Sequence, residues 1–253
     1  MATDKLFRQC DLHTHTCLSE CARAEMRLAD ILSVCAQRGI EYLGITDHIF
    51  PSTNTDILKA TRDELAALDA PMQVFVGCEA DVVEVGKHTV TDEMRSTLDF
   101  IMVAANHYQL PWIAQPPDAS PLSVAGHMLD MFTYACSLSF ADVVAHPMCD
   151  VSGKYSPRCL DLLSDDELTH ALKMAKANNI AMEISPRALL PEDRLFRLRF
   201  YSLCNRVGLK FAFGTDAHSL NAVGQTRVLK GLVNELRITD DDVWLPGGLA
   251  NLP

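Results

Sequence analysis

Short apolar runs rich in Val, Ile and Phe alternate along the chain with segments whose apolar positions recur at helical spacing. The runs predict seven strands, over residues 9–13, 42–46, 73–78, 100–105, 142–145, 181–184 and 210–214. The intervening segments predict helices over residues 27–38, 56–68, 123–137, 165–178, 193–206 and 222–237. A repeated strand–helix alternation is typical of parallel strands covered by helices, so we expect an α/β domain.

Polar residues of the kinds that bind metal ions stand where the predicted strands end. His13 and His15 form the first pair, and two residues apart on an extended segment they share one face. The others are His48, Glu79, His107, His146, Asp216 and His218. An open sheet would spread these side chains across its width, whereas a closed sheet brings its strand ends to one point. We therefore expect a distorted (β/α)7 barrel, one strand short of the usual eight, with a metal cluster at the C-terminal ends of the strands.

The candidate ligands mix imidazole and carboxylate groups, which suits Zn, Mn or Fe and does not choose among them. Glu79 is suited to bridging two cations, and Asp47 is free to orient a neighbouring ligand. Three other histidines fall outside the pattern. His88 follows the third strand and is a candidate for the cleft wall, whereas His127 and His170 lie in predicted helices.

Length and loop composition bear on domain organisation. The 253 residues predict a single barrel domain over 1–253, and residues 239–253, with three consecutive Asp and two consecutive Gly, predict a surface tail. Residues 109–121 are rich in proline, contain Trp112 and predict a long loop over the active face.

The charge balance limits the partners that the chain can bind. It has 33 acidic residues against 22 Lys and Arg, a net charge of −11, which argues against long nucleic acids and anionic membranes. A small phosphorylated substrate is compatible with this net charge, because bound divalent cations can make the electrostatic potential of a cleft locally positive. We see no N-terminal signal peptide, no membrane-length apolar run and no regular cysteine framework, so we expect a cytoplasmic protein.

Seven short motifs carry a resemblance to a known family. They are DLHTHT at 11–16, ITDH at 45–48, GCEA at 77–80, NH at 106–107, AHP at 145–147, MEI at 182–184 and GTDAHS at 214–219. In this order and spacing they resemble the PHP (polymerase and histidinol phosphatase) superfamily. The resemblance implies a distorted (β/α)7 barrel that holds two to three divalent metal ions.

The resemblance also implies a distribution of ligands over the cluster. One cation would be held by His13, His15, Glu79 and Asp216; a second by Glu79, His107 and His146; a third by His48 and His218. The family usually places another imidazole at the third site, six residues after the His-x-His pair. Here that position is Cys21, which is either a ligand, since a thiolate can bind zinc, or a packed thiol.

The activity that the resemblance implies is hydrolysis of a small-molecule phosphomonoester by a water bridging two cations. Glu79, Asp216 and His218 are the catalytic candidates, and histidinol phosphate is the family's best-known substrate of this kind. Arg187, after the sixth strand, is a candidate phosphate clamp, and Lys154, after the fifth, is a further substrate-binding candidate. Two alternatives stay open: a nuclease or nucleotide phosphodiesterase, and a non-catalytic metal-binding regulatory module.

Overall fold

The computed structural model describes residues 6–248. The strands are β1 Cys10–Thr14, β2 Tyr42–Ile45, β3 His48–Ile49, β4 Gln73–Glu84, β5 Lys87–His88, β6 Phe100–Ala104, β7 Val143–Val144, β8 Ala181–Ile184 and β9 Phe211–Phe213. The α-helices are α1 Leu28–Arg38, α2 Asp56–Ala66, α3 Asp92–Thr97, α4 Pro121–Ser137, α5 Asp165–Ala177, α6 Arg194–Val207 and α7 Lys230–Glu235. Short 3₁₀ turns, such as Pro186–Leu189 after β8, lie in the connections.

The sheet is a nearly closed barrel of seven parallel strands in the order β1-β2-β4-β6-β7-β8-β9. The short β3 continues the line of β2 beside β4, and β5 forms an antiparallel hairpin with β4. Backbone hydrogen bonds beyond β9 close the ring, because His15 N donates to Ala217 O over 3.1 Å and Ala217 N donates to His13 O over 3.3 Å. The expected distorted seven-stranded barrel is confirmed.

Helices cover the outside of this barrel with apolar stripes. In α5, Leu168, Ala171, Leu172 and Ala175 are buried, at the i, i+3, i+4, i+7 spacing of one helix face. Each fully buried leucine contributes about 1.5–3 kcal/mol relative to an exposed one. The helix begins where the sequence predicts, because the Ser164 side chain accepts from Glu167 N and Glu167 in turn accepts from Ser164 N.

One glycine determines how closely β9 approaches β1. A Cβ on Gly214 would lie 2.4 Å from the Cβ of His13, closer than non-bonded carbons come. Only a residue without a side chain lets the two strand ends meet there. The close approach brings the segment after β9 beside the His-x-His pair.

The structure corrects two predictions at the C-terminal end. The helix predicted over residues 222–237 is wrong in its first half, because Gly224 has φ 71° and its N–H donates to Asp11. A 3₁₀ turn, Gln225–Leu229, follows, and only the short α7 is α-helical. The predicted surface tail is wrong for residues 243–245, since Val243 and Leu245 are buried and Trp244 N donates to Phe211 O over 2.8 Å. Residues 249–253 of that tail lie outside the described range. None of the described helices is long and apolar enough to cross a membrane.

Candidate metal centre

Four potential ligand atoms converge at the C-terminal end of the barrel. They come from His13, His15, Glu79 and Asp216, and all lie within 4.8 Å of one another. His13 Nε2 is 3.1 Å from His15 Nε2 and 3.3 Å from Glu79 Oε2. Asp216 Oδ1 is 3.6 Å from His13 Nε2 and 3.4 Å from His15 Nε2. The four side chains predicted to share one cation are therefore brought together.

These separations fit a divalent cation. Ligands at about 2.1 Å in a tetrahedral arrangement lie about 3.4 Å from one another, close to the distances among these four atoms. Glu79 Oε2 is buried and has no hydrogen-bond partner among residues 6–248, and the same holds for His48 Nδ1, 3.0 Å away. Buried polar atoms normally have hydrogen-bond partners. Two such atoms that face each other without one indicate a site for a cation between them.

The second oxygen of Glu79 faces a different pair of imidazoles. Glu79 Oε1 is 2.8 Å from His146 Nε2 and 3.5 Å from His107 Nε2. His48 also belongs to a group with Glu79 and His107 whose ligand atoms are mutually close. The carboxylate therefore lies between two sets of imidazoles, as a group that bridges two cations must.

Two of these residues have strained backbones. His146 has φ 27° and Asp216 has φ 55°, and residues other than glycine rarely adopt positive φ values. Such conformations cost about 1–3 kcal/mol each and persist only where the surroundings enforce them. Their occurrence at two candidate ligands supports a functional site.

Buried carboxylates outside the cluster orient its imidazoles. Glu183 Oε1 lies 2.8 Å from His13 Nδ1, and its Oε2 accepts from His146 N. Asp81 Oδ1 lies 2.7 Å from His107 Nδ1. Such carboxylate partners fix ring orientation and raise the basicity of a ligating imidazole.

Two further aspartates hold the loops that carry the ligands. Asp11 accepts from Thr215 N and Thr215 Oγ1, both over 2.8 Å, and so fastens the turn before Asp216 to β1. Asp47 accepts from Thr16 N and Ser19 Oγ, both over 2.7 Å, which holds the loop after His15. The sequence predicts an orienting role for Asp47, whereas no role is predicted for Asp11 or Asp81. Their spacing offers a signal, since each lies two residues from a ligand candidate on the same strand.

Burial and neighbouring charges shift the pKa values of the residues in the cluster. Burial lowers the pKa of His15 to about 4 and that of His48 to about 3. For His107, burial acts downward, but Glu79 and Asp81 outweigh it and raise the pKa to about 8. Burial acts upward on Glu79, yet His48 and His13 hold the pKa of its carboxyl well below the usual range. Neutral imidazoles beside ionised carboxylates are the forms that bind cations.

The remaining predicted ligands lie at the solvent-facing rim. His15, His48 and His218 form a third group of mutually close ligand atoms. His218 Nε2 lies 3.1 Å from Cys21 Sγ, and His218 Nδ1 lies 2.9 Å from the Asp216 carbonyl oxygen. Burial raises the pKa of the Cys21 thiol to about 11.

The two substrate-binding candidates differ in placement. Arg187 Nε donates to Asp216 Oδ2 over 2.9 Å, so its guanidinium borders the cluster. Arg187 also lines a cavity of about 430 Å³ together with Cys149, Tyr155 and Glu192. Lys154 is exposed, and its Nζ donates to Gln115 Oε1 over 2.6 Å. No contact in the described range joins Lys154 to the imidazoles.

The three remaining histidines lie apart from the cluster. His88 packs against the Phe140 ring with centroids 4.8 Å apart. His127 Nε2 lies 2.9 Å from the Ala114 carbonyl oxygen, and His170 is exposed on α5. Asp81 also accepts from the Trp112 indole over 3.2 Å, which ties the loop after β6 to the metal centre.

Comparison with known proteins decides the family. The model of the PHP domain family matches residues 11–187, which include most of the cluster. The chain belongs to the PHP domain family. With the buried His, Glu and Asp groups, it has the fold and the site of a phosphatase-like PHP hydrolase.

Two relatives of this PHP chain differ in size. A probable phosphatase of Caldicellulosiruptor saccharolyticus is 21% identical over 241 residues, which cover 91% of this chain and 88% of the relative. The DNA polymerase/3′-5′ exonuclease PolX of Bacillus subtilis is 24% identical over 234 residues, which cover 87% of this chain. The chain spans only 37% of that polymerase's length.

Solved structures share the PHP fold at low identity. The histidinol phosphate phosphatase of Lactococcus lactis, complexed with zinc, L-histidinol and phosphate, has a TM-score of 0.61 at 15% identity, covering 88% of this chain and 92% of that chain. The putative histidinol phosphatase of Listeria monocytogenes has a TM-score of 0.63 at 11% identity, covering 85% of this chain and 97% of that chain. These similarities concern the fold alone.

Proposed function

We propose that this protein is a metal-dependent phosphoesterase that hydrolyses phosphomonoesters of small molecules. The observation that carries the proposal is Glu79, whose buried Oε2 has no hydrogen-bond partner among the described residues and faces imidazoles from β1 and from the start of β3. Its Oε1 faces imidazoles from two further strand ends. Divalent cations held there would polarise a phosphoryl group and would lower the pKa of a bound water, so that hydroxide is available as a nucleophile near neutral pH.

The contacts support the following ligand roles. His13, His15, Glu79 and Asp216 would hold one cation, and Glu79 with His107 and His146 a second. Asp216 shares its charge between this cluster, through Oδ1, and Arg187, through Oδ2. His218 donates from Nδ1 to the Asp216 carbonyl, which leaves the lone pair of Nε2 facing the rim.

Arg187 is proposed as the residue that orients the phosphoryl group. Its Nε is engaged by Asp216, and within residues 6–248 no hydrogen bond engages its two terminal nitrogens. A planar guanidinium held in this way presents donors suited to phosphate oxygens. The adjoining cavity of about 430 Å³ gives room for a small leaving group, which favours a monoester of a small alcohol over a polymer.

A second candidate is a nucleotide phosphodiesterase or nuclease. The similarity to the PolX exonuclease favours it, whereas the net charge of −11 disfavours long nucleic acids. Within this alternative, short oligonucleotides are the substrates that the charge allows. The third candidate, a non-catalytic regulatory module, predicts bound metal without hydrolysis.

The deciding experiment compares substrates and variants on protein loaded with Mn²⁺, Zn²⁺ or Fe²⁺. We expect hydrolysis of an aryl phosphate, of histidinol phosphate or of a mononucleotide, and little hydrolysis of a short oligonucleotide. Changing a group that only orients a ligand costs about 10–100-fold, so Glu79→Gln, which alters a direct ligand, should lose at least about 100-fold. Glu84→Gln, on the exposed end of the same strand, is the matched control.

The outcomes separate the three candidates. Preferred cleavage of the oligonucleotide would favour the phosphodiesterase. Metal binding without hydrolysis of any phosphoester would favour the regulatory module. Equal activity of the Glu79 and Glu84 variants would refute the proposed site.

A further inference from the structure

A second cavity lies beside the one that Arg187 borders. It has a volume of about 420 Å³ and lies between the start of α4 and the 3₁₀ turn Pro157–Leu162. Tyr155 and Ser156 line both cavities and so form a wall that the two share. We call this second cavity the distal pocket. Each of the two cavities is of the size that small-molecule sites usually have.

Most of the residues that line the distal pocket are apolar. Val124 and Cys159 are buried, whereas Pro121 and Leu162 reach the surface. Leu162 is 53% exposed, and Leu122, next to Pro121 in the chain, is 73% exposed. Exposed apolar side chains that are grouped around a concave surface are typical of a binding site. The pocket therefore suits an apolar group.

The charged residues that line this pocket are both cationic. They are Lys154 and Arg158, and both are exposed. Lys154 Nζ donates to the neutral Gln115 side chain over 2.6 Å, and neither residue forms an ion pair among the described residues. In a chain of net charge −11, two uncompensated cations beside an apolar pocket complement an anionic group.

Tyr155, in the shared wall, is held in place by three contacts. Its hydroxyl donates to Gln115 Oε1 over 3.1 Å, and its backbone N donates to Asp150 Oδ2 over 2.6 Å. Its ring packs edge-on against Tyr108, with centroids 5.6 Å apart. The wall therefore keeps the two cavities at a fixed separation, and a ligand that occupies both must have a definite length.

We propose that the distal pocket binds the far end of the substrate's leaving group, and that this end is an apolar chain with a terminal carboxylate. The inference rests on the proposed function, in which Arg187 orients the phosphoryl group. The leaving group then passes Tyr155, and its carboxylate lies near Lys154 and Arg158. The substrate class is the phosphomonoesters of apolar alcohols that carry a carboxylate at the other end.

The first measurement is isothermal titration calorimetry of the Mn²⁺-loaded protein with ω-phosphonoalkanoates of increasing chain length. These ligands have a phosphonate at one end and a carboxylate at the other, and they cannot be hydrolysed as esters. Once the chain reaches the pocket, each further methylene should strengthen binding by about fourfold, until the pocket is filled. An affinity that does not depend on chain length overturns the inference.

Variants test whether the gain comes from this pocket. Leu162→Asp places a charge against the chain and should abolish the gain with length. Leu195→Asp, at an 83% exposed position on α6, is the matched control and should keep it. Arg158→Gln should weaken a phosphonoalkanoate by up to about fivefold at low ionic strength, and should not weaken an alkylphosphonate of the same length. Equal length dependence in Leu162→Asp and Leu195→Asp overturns the inference.

Competition tests whether the pocket serves the substrate or a separate molecule. Octanoate alone should bind the protein, and the phosphonoalkanoate of best length should displace it. Simultaneous binding of both ligands would assign the pocket to a second molecule and would overturn the inference.

The binding measurements do not depend on hydrolysis, so they separate the two proposals. Chain-length dependence in a protein that hydrolyses no phosphoester supports the distal pocket as a binding site and refutes the proposed function. Hydrolysis of an aryl phosphate by a protein without chain-length dependence supports the proposed function and refutes the role of the distal pocket. If Leu162→Asp prevents folding, the ligand series on the wild type decides.

Discussion

Replacement of Glu183 by glutamine tests whether a carboxylate that touches no substrate determines metal affinity. Glu183 is fully buried, with one oxygen against His13 Nδ1 and the other accepting from His146 N. When His13 binds a cation through Nε2, its Nδ1 carries a proton and donates. Both neighbours are then donors, and a carboxylate satisfies both, whereas an amide has one acceptor oxygen.

The amide therefore leaves one buried N–H unsatisfied in the metal-bound form, at a cost of about 1–3 kcal/mol. At about 1.4 kcal/mol per factor of ten, this corresponds to a metal affinity weaker by about 5–150-fold. Although burial acts to lower it, Glu183 and Glu79 hold the pKa of His13 well above its usual value in the metal-free protein, so the comparison is made at alkaline pH, where His13 is neutral. There the ring can move its proton to Nε2 and accept from the amide, so the unfolding free energy of the metal-free protein should change little. The penalty falls on metal binding.

The assay is a titration with chelator-buffered Zn²⁺ or Mn²⁺ at fixed pH, with urea unfolding of the metal-free protein in parallel. Glu64→Gln, an exposed position on α2, is the matched control and should bind metal as the wild type does. Unchanged affinity in Glu183→Gln would refute the reasoning. An equal loss in both variants would show that the substitution acts through net charge.

Three further predictions concern pH, packing and substrate binding. The pKa of His107 is raised from 6.5 to about 8, so its proton stabilises the metal-free fold fully below pH 6.5, and this contribution is lost as the pH rises through 8. In the presence of chelator, the thermal unfolding temperature should therefore fall as the pH rises through 8. Metal affinity should rise over the same pH range, because a cation must displace the proton of His107. A thermal unfolding temperature and a metal affinity that are both independent of pH would contradict this. Gly214→Ala forces a Cβ against His13 and should lower the unfolding free energy in urea by about 1–3 kcal/mol, whereas Gly126→Ala, with open space in α4, should not destabilise. Arg187→Lys loses the planar fork and should raise KM for an aryl phosphate, whereas an unchanged KM would remove Arg187 from the phosphate position.

The barrel follows from the sequence because its determinants are local. Continuous apolar runs such as that of β6 predict strands buried on both faces, and helical spacing in the intervening segments predicts their cover. A ligand that directly follows a strand is then at the C-terminal end of the barrel, wherever it lies in the chain. This is why the convergence of His13, Glu79 and Asp216 could be predicted from their positions alone.

The supporting network could not be predicted in the same way. Glu183 and His13 are 170 residues apart, and only the closed ring brings their side chains to 2.8 Å. The predicted helix from residue 222 failed for the same reason, because the Gly224 N–H is engaged by Asp11, more than two hundred residues earlier. Helix propensity depends on the local sequence, so it cannot indicate partners that are distant in the chain.

What the sequence determined by itself is the fold, the family motifs and the ligand types, since each depends on residue identity and near-neighbour spacing. Tertiary structure decided which nitrogen of each imidazole is free, because that depends on the partner of the other nitrogen. It also decided that the Cys21 sulfur meets His218 Nε2, a contact between residues 197 positions apart. The strand-end histidines predict a metal centre, and the packing of the barrel around them determines its geometry.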